Sequence, residues 1–439
     1  MKPLLVQGGH ILDPAQGIDE IGNLLISEGK ISWLGRGMES PPEPDYGVLH
    51  AAGLVVCPGF IDLHCHLREP GFEEKETIAT GTRAAARGGF TTVCCMPNTS
   101  PPLDNTAMID YIKSRASREG VVRVLPIACI SRGREGKELV AMSELASAGA
   151  VAFSDDGSPV MNSRLMRQAL ESSFSFDLPV IDHCEDTSLT RGGQMNEGIL
   201  SRRLGLQGMP AAAEEIMVAR DLALARLTGG RLHIAHVSTE GSVDLIRQAK
   251  EDGVRVTAEV TPHHLTLTED RVTGYDANSK VNPPLRTERD VKALVQGLKD
   301  NVIDIIATDH APHTEADKSN EFVQAPFGIS GFETALGCLM SLVHNGQITL
   351  TALISKLTGE PARIIGNKYG KLGTLAIGAP GDVTLFDPDM EWTVDTKDFA
   401  SKGRNTPLAG SVLKGKVMAT ISRGKPVYKD SSITVKGYI

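Results

Sequence analysis

The sequence predicts an α/β protein: a (β/α)8 TIM-type barrel with a small β domain formed by the N- and C-terminal segments. Three observations carry that expectation. Through the middle of the chain, short β-rich runs alternate with helical stretches, eight strands in all, and alternation of this kind closes a parallel barrel. The two ends instead carry short apolar runs separated by glycine-rich turns, the pattern of small antiparallel strands. Histidines and aspartates fall at the ends of successive barrel strands, which is where such barrels place their chemistry.

In order, residues 1–52 supply Leu4-Leu5-Val6, Asn23-Leu24-Leu25-Ile26 and Lys30-Ile31-Ser32-Trp33-Leu34. Residues 366–439 supply Gly381-Asp382-Val383-Thr384-Leu385-Phe386 and Lys416-Val417-Met418-Ala419-Thr420-Ile421. These ends are expected to pair into one β domain, with residues 53–365 inserted between them as the catalytic barrel. The first barrel strand is read as one run, from the apolar stretch Gly53–Phe60 to about His66. The other seven are expected at Thr91–Cys95, Val121–Ala128, Ala150–Phe153, Pro179–Asp182, Leu232–Ala235, Val254–Glu259 and Ile303–Thr308. Helical spacing fills Glu76–Arg87 (closed by Gly88-Gly89), Glu138–Ala148 and Ala211–Leu227. The segment Pro312–Gly328 is polar and lacks helical period, so it reads as a mobile loop over the site. Its expected exposed tip is Asp317-Lys318-Ser319-Asn320.

Composition narrows the function classes. At 439 residues and 41% hydrophobic, the chain can bury a large core. A formal charge of −9 and a pI near 5.8 argue against nucleic-acid or anionic-membrane partners. No apolar segment is long enough to span a bilayer. The opening apolar run soon meets Gly8-Gly9-His10, so no signal-peptide core is expected there. Seven scattered cysteines with no Cys-x-x-Cys point to reduced thiols in a cytoplasm. Cys94-Cys95, inside a strand, reads as buried and structural.

The chemistry centres on Asp62-Leu63-His64-Cys65-His66-Leu67-Arg68. A strand repeats every two residues, so His64 and His66 share a face and form a pincer for a divalent transition metal. Arg68 follows, where its planar fork could clamp a substrate carboxylate. Further along, Ser154-Asp155-Asp156-Gly157, His183, His236 and Asp309 each follow a barrel strand. One such residue alone is more often structural; six at successive strand ends make a ligand set. Thr261-Pro262-His263-His264, His233 and His310 read as supporting or structural, because that set is complete without them.

These motifs, with Met96-Pro97-Asn98-Thr99, Lys280-Val281-Asn282-Pro283-Pro284-Leu285-Arg286 and Asp309-His310-Ala311-Pro312-His313, resemble the class I bacterial dihydroorotases of the amidohydrolase superfamily. The likeness runs essentially the full length. It implies a first metal on His64, His66 and Asp309, a second on His183 and His236, and Asp156 as the bridge. Two divalent ions, zinc first among them, are the implied cofactors. The implied substrate contacts are Arg68, Asn98, Asn282, His313, Phe327 and Gly328. The implied reaction is the reversible cyclisation of N-carbamoyl-L-aspartate to L-dihydroorotate in pyrimidine biosynthesis, with Asp309 as general acid and base. Closure of the ring consumes a proton, so lower pH should favour it. A homodimer is common among such proteins, and some associate with aspartate transcarbamoylase.

Two other readings compete. Hydantoinases and allantoinases share the architecture, but usually bridge their metals with a carboxylated lysine. This chain has no lysine from residue 138 to 249, the span where that lysine would lie. A non-catalytic homologue is the other alternative; such chains typically lose ligands, whereas all are retained here.

Overall fold

The computed structural model describes residues 2–37, 39–42 and 45–437. Five strands open the chain: β1 (Leu4–Asp13), β2 (Ile18–Ser27), β3 (Lys30–Arg36), β4 (Gly47–His50) and β5 (Val55–Pro58). Glu28-Gly29 joins β2 to β3 with both residues at positive φ (51° and 76°), as a two-residue hairpin that follows strand twist requires. The barrel strands follow: β6 (Phe60–Cys65), β7 (Phe90–Cys95), β8 (Arg123–Pro126) and β9 (Val180–Asp182). A separate short pair, β10 (Met195–Asn196) and β11 (Gly208–Met209), precedes β12 (Leu232–Ile234), β13 (Val256–Val260) and β14 (Ile305–Ile306). The chain closes with β15 (Val383–Thr393), β16 (Val412–Ser422), β17 (Lys425–Lys429) and β18 (Val435–Lys436).

The terminal strands form one nine-stranded sheet, in which β5 joins β1 to β15. Its core interleaves Leu4, Val6, Ile11, Leu24 and Ile26 from one end of the chain with Val383, Leu385, Met418 and Ile421 from the other. Neither end could bury its apolar face alone, which is why they pair. The sheet is mixed and not purely antiparallel as expected: β4 and β5 both run parallel to β1. Both strands follow β3, so the chain has crossed back before it rejoins β1.

The apolar run into His66 is likewise two strands, not one. Val55–Pro58 belongs to the terminal sheet and Phe60–Cys65 to the barrel, with Gly59 between them. A side chain there has no room: a Cβ on Gly59 would lie 2.2 Å from Thr91 Oγ1.

All barrel pairings are parallel. The expected fourth strand shrinks to Phe153, which bridges Ala128 on one side and Val180 on the other. Beyond it, the Asp155 carboxylate takes the N–H groups of Ile130 and Ser131, so side-chain bonds replace a longer ladder. A bridge between Cys65 and His310 closes the ring. Ile61, Leu63, Leu125, Ile127, Val151, Ile181 and Ile305 pack together with Ile364 and Ile365 of the helix Gly359–Ile365. The expected helices appear at Ile78–Arg87, Met142–Ala148 and Ala212–Thr228. The first starts at Thr77, whose hydroxyl caps Thr80 N–H. Among the described residues, no helix is long and apolar enough to cross a membrane.

Candidate metal centre

Strand β6 reaches the site through a local irregularity. Its register against β7 slips between Asp62 and Cys65, and such a bulge re-aims side chains. Leu63 joins the cluster of Ile61 and Leu125, while His64 and its neighbour His66 turn to the far end of the ring. The strand ends are curled as well. Arg68, His236 and Asp309 hold left-handed backbone at φ 60°, 31° and 46°, a conformation costing about 1–3 kcal/mol that persists where the surroundings enforce it.

The six sequence-predicted ligands converge. The His66 Nε2 lies 3.0 Å from Asp309 Oδ1, and His64 Nε2 lies 3.4 Å from Asp156 Oδ1 and 3.5 Å from Asp309 Oδ1. Across the site, His183 Nδ1 and His236 Nε2 are 2.9 Å apart. They sit 3.7 and 3.8 Å from Asp156 Oδ1. Two donor sets, His64–His66–Asp309 and His64–Asp156–His236, each have ligand atoms within 4.8 Å of one another. His64 Nε2 is buried and makes no hydrogen bond. An orphaned imidazole nitrogen aimed between two carboxylates fits a cation, and a histidine–carboxylate donor set suits zinc-type ions.

Electrostatics point the same way. Burial disfavours a charged His64, yet Glu259, Asp156 and Asp309 outweigh it and hold its pKa well above the ordinary imidazole value. Burial also opposes charge on His183, but Asp156 and Glu185 raise its pKa to about 10. Asp156 and Asp309 stay far below the usual carboxylate range: the surrounding histidines overcome the burial that would raise them. The pocket therefore draws positive charge, which protons or metal ions can supply.

Three of the four candidate-ligand imidazoles are oriented from behind. Glu259 Oε1 takes His64 Nδ1 at 2.6 Å while its Oε2 takes His233 Nε2 at 3.0 Å. Glu185 Oε2 takes His183 Nε2 at 2.8 Å, and Asn98 Oδ1 takes His66 Nδ1 at 2.9 Å. Sequence reasoning assigned no role to Glu259 or Glu185. The signal for Glu259 was a lone carboxylate inside the apolar strand Val256–Val260; for Glu185, its place two residues after His183. Such partners fix ring orientation and ligand basicity. Replacing Glu259 by glutamine is expected to weaken metal binding by about 10- to 100-fold. Chelator competition would read this, and an unchanged affinity would refute the orienting role.

The cluster floors a cleft of about 330 Å³ whose lining includes Arg68, Asn98, Asn282, His313, Phe327 and Gly328. Arg68 Nε donates to Pro312 O at 3.3 Å, and its terminal nitrogen lies 3.4 Å from His313 Nε2. Burial, with Arg68 beside it, pushes the His313 pKa down to about 2, so this ring stays neutral. Asn98 and Asn282 line the cleft, but their amides also engage the cluster. The Asn98 Nδ2 donates to Asp156 Oδ2 at 3.3 Å, and Asn282 Nδ2 to Glu185 Oε2 at 2.8 Å.

The segment expected as a loop carries a helical turn, Glu315–Lys318, capped by Thr314. Lys318 is no exposed tip: its ammonium donates to Ala277 O and Pro326 O at 2.9 and 2.8 Å. His263 and His264 are buried, with pKa values lowered by that burial, and His264 bonds Thr261 Oγ1 and Pro283 O. His310 stacks on Phe332 at 4.2 Å. A third acidic group, Asp182, Cys184 and Asp221, is compensated by Arg220, which donates to both aspartates.

Fold and site together define the class: a (β/α)8 barrel of the amidohydrolase type with candidate metal-ligand groups at its strand ends. Solved structures agree on the fold. The L-hydantoinase (dihydropyrimidinase) of Arthrobacter aurescens superposes with TM-score 0.88 at 24% identity, covering 99% of this chain and 98% of its own. A D-hydantoinase (dihydropyrimidinase) from Thermus sp. gives 0.82 at 24%, covering 99% and 97%. Sequence relatives are nearer. A family model described as Dihydro-orotase-like matches residues 53–242. The dihydroorotase of Pelotomaculum thermopropionicum is 54% identical over 98% of this chain and 99% of its own. That of Syntrophus aciditrophicus is 50% identical over 97% and 99%. The chain belongs to the dihydroorotase family.

Proposed function

We propose that this chain catalyses the reversible cyclisation of N-carbamoyl-L-aspartate to L-dihydroorotate, with loss of water, as a step of pyrimidine synthesis. The observation that carries the reading is one cleft floored by six convergent candidate ligands beside a half-buried arginine. The metal set is His64, His66 and Asp309 on one side, His183 and His236 on the other, and Asp156 between them. Two divalent ions held there, zinc by the donor types, would supply Lewis acidity that polarises a carbonyl and acidifies water.

The remaining chemistry falls to the chain's own groups. Asp309 brings its carboxylate between His64 and His66 at the cleft floor, where it is placed to accept a proton. In ring opening it takes the proton of the attacking water and passes it to the departing ring nitrogen as the carbon–nitrogen bond breaks. In closure it takes the ureido proton as the nitrogen bonds to the side-chain carboxyl carbon, then returns it to the carboxyl oxygen, which leaves as water with one further proton from solution. Arg68 binds the carboxylate that takes no part in the reaction, with Asn98 and His313 beside it. Asn282, Phe327 and Gly328 shape the rest of the cleft.

Arg68→Met tests the clamp. Losing a charge-assisted partner is expected to cost about 2–5 kcal/mol of transition-state stabilisation. The loss should fall on dihydroorotate far more than on a carboxylate-free cyclic amide, and equal losses on both would sink the assignment. The hydantoinase-type reading is disfavoured by the absence of lysine between residues 138 and 249. Parallel assays with dihydroorotate, hydantoin and allantoin separate the readings, and a chain inactive on all three would be the non-catalytic homologue.

The division into residues 1–52 with 366–439 as the small β domain, and 53–365 as the barrel, belongs to this proposal too. The shared core of the terminal strands supports it, with β5 as the strand by which the inserted segment enters the sheet. A cytoplasmic setting is supported by seven cysteines that are all buried and unpaired. A homodimer and an association with aspartate transcarbamoylase complete the proposal. Family resemblance supports both, and light scattering with and without the transcarbamoylase tests them.

A further inference from the structure

The tripeptide Gly403-Arg404-Asn405 lies between β15 and β16, far in sequence from the barrel strands. Yet Asn405 is only 3% exposed and its amide is fully used. Its Oδ1 accepts from His313 N–H at 2.9 Å and from Ser330 Oγ at 2.8 Å. Its Nδ2 donates to Ala311 O at 3.1 Å and Gly328 O at 2.9 Å. Two carbonyls and one N–H around the amide fix which end is which. The Asn405 carbonyl also accepts from Ser330 N–H at 2.8 Å. At Gly403 the backbone packs directly on Pro312, since a Cβ there would lie 2.3 Å from Pro312 Cβ. Pro312 in turn offers its carbonyl to Arg68 Nε at 3.3 Å.

Arg68, His313 and Gly328, three groups that line one side of the cleft, therefore rest on one short stretch of the C-terminal segment. His313 and Gly328 sit on irregular backbone just beyond one isolated parallel bridge, His310 to Ile329, and His313 Nε2 also reaches Phe327 O at 2.8 Å. One buried amide spans both arms of that loop and adds four hydrogen bonds to that single bridge.

We propose that Asn405 is a positioning residue for carboxylate recognition, holding the His313 and Gly328 arms at the spacing that the Arg68 clamp requires. This rests on the reading of Arg68 as the clamp. Asn405 touches no reacting atom; it acts through the backbone it ties. Gly403 serves the same end by leaving room for Pro312.

A double-mutant cycle tests it on the full chain. Asn405→Ala and Arg68→Met are made singly and together, and kcat, KM for dihydroorotate and bound metal are measured for each. Displacing a binding group by about 1 Å can cost on the order of 100-fold, so Asn405→Ala is expected to raise KM by about 10-fold or more. Bound metal and kcat should change far less. Residues acting through one contact are non-additive, so the same substitution in the Arg68→Met background should add less than about twofold. A full effect repeated in that background would overturn the proposal, as would an unchanged KM or a loss that tracks metal. A raised KM for Arg68→Met beside a silent Asn405→Ala would overturn only this inference. An unchanged KM for Arg68→Met would remove the clamp and this inference with it. Should alanine leave no folded enzyme, Asn405→Asp keeps the size and both acceptor contacts but removes both donations. It too is expected to raise KM, and an unaffected KM there overturns the proposal.

Discussion

Replacing Asp309 by asparagine is expected to abolish ring closure and ring opening together while much of the metal stays bound. Asparagine keeps an oxygen where Asp309 Oδ1 faces His64 and His66 at 3.5 and 3.0 Å, so it can still serve as a neutral ligand. It has no basic carboxylate oxygen with which to carry a proton. Positioned acid–base groups contribute about 10²- to 10⁴-fold, and both directions should fall by the same factor because both use one proton carrier. Rates in the two directions, measured at matched metal content by elemental analysis, decide it. Substantial activity at full metal loading would refute the general-base role.

The second large effect concerns Asp156. Its Oδ1 lies 3.4–3.8 Å from nitrogens of His64, His183 and His236, so its carboxylate can stand between His64 on one side and the His183–His236 pair on the other. Asp156→Ala is therefore expected to lose both metal and activity. Asp155 is the built-in control. Its carboxylate faces the other way, taking Ile130 N–H at 2.9 Å, Ser131 N–H at 3.1 Å and the Ser131 hydroxyl. Asp155→Ala should lose stability, about 1.5–3 kcal/mol for hydrogen bonds to a charged group, and keep more metal. A carboxylate built into the chain also needs no CO₂, unlike a carbamate bridge on lysine. Metal-stripped protein should regain full activity with Zn²⁺ in CO₂-free buffer at the rate seen with bicarbonate. A bicarbonate requirement, or a metal-replete Asp156→Ala protein, would overturn the assignment.

What separates the legible from the illegible here is the range of the physics. His64 and His66 could be placed on one face because strand periodicity is local, whereas Asp156 was told from Asp155 by the family resemblance. The pairing of the chain ends was legible because short apolar runs at both termini each lacked a partner. Less local features were missed. The hairpins of the terminal segments were readable, but the parallel placement of β4 and β5 depends on a crossover that no local pattern records. The helical turn at Glu315–Lys318 was hidden because its polar residues have no apolar face, and Lys318 is anchored by carbonyls from other segments.

By itself, the sequence determined the fold class, the order of candidate ligand types along it and the end of the barrel at which they gather. Each of these follows from hydrophobic periodicity and from the rule that parallel strands end on one side. Only the tertiary structure decided which residues stand behind the ligands. Glu259 reaches His64 across 195 residues of chain, and Asn405 reaches His313 across 92. It also decided the register slip in β6 between Asp62 and Cys65, since that depends on pairing with β7. Contacts of this kind form because burial leaves a polar atom no partner but the one that packing brings to it. That constraint exists only once the chain is folded.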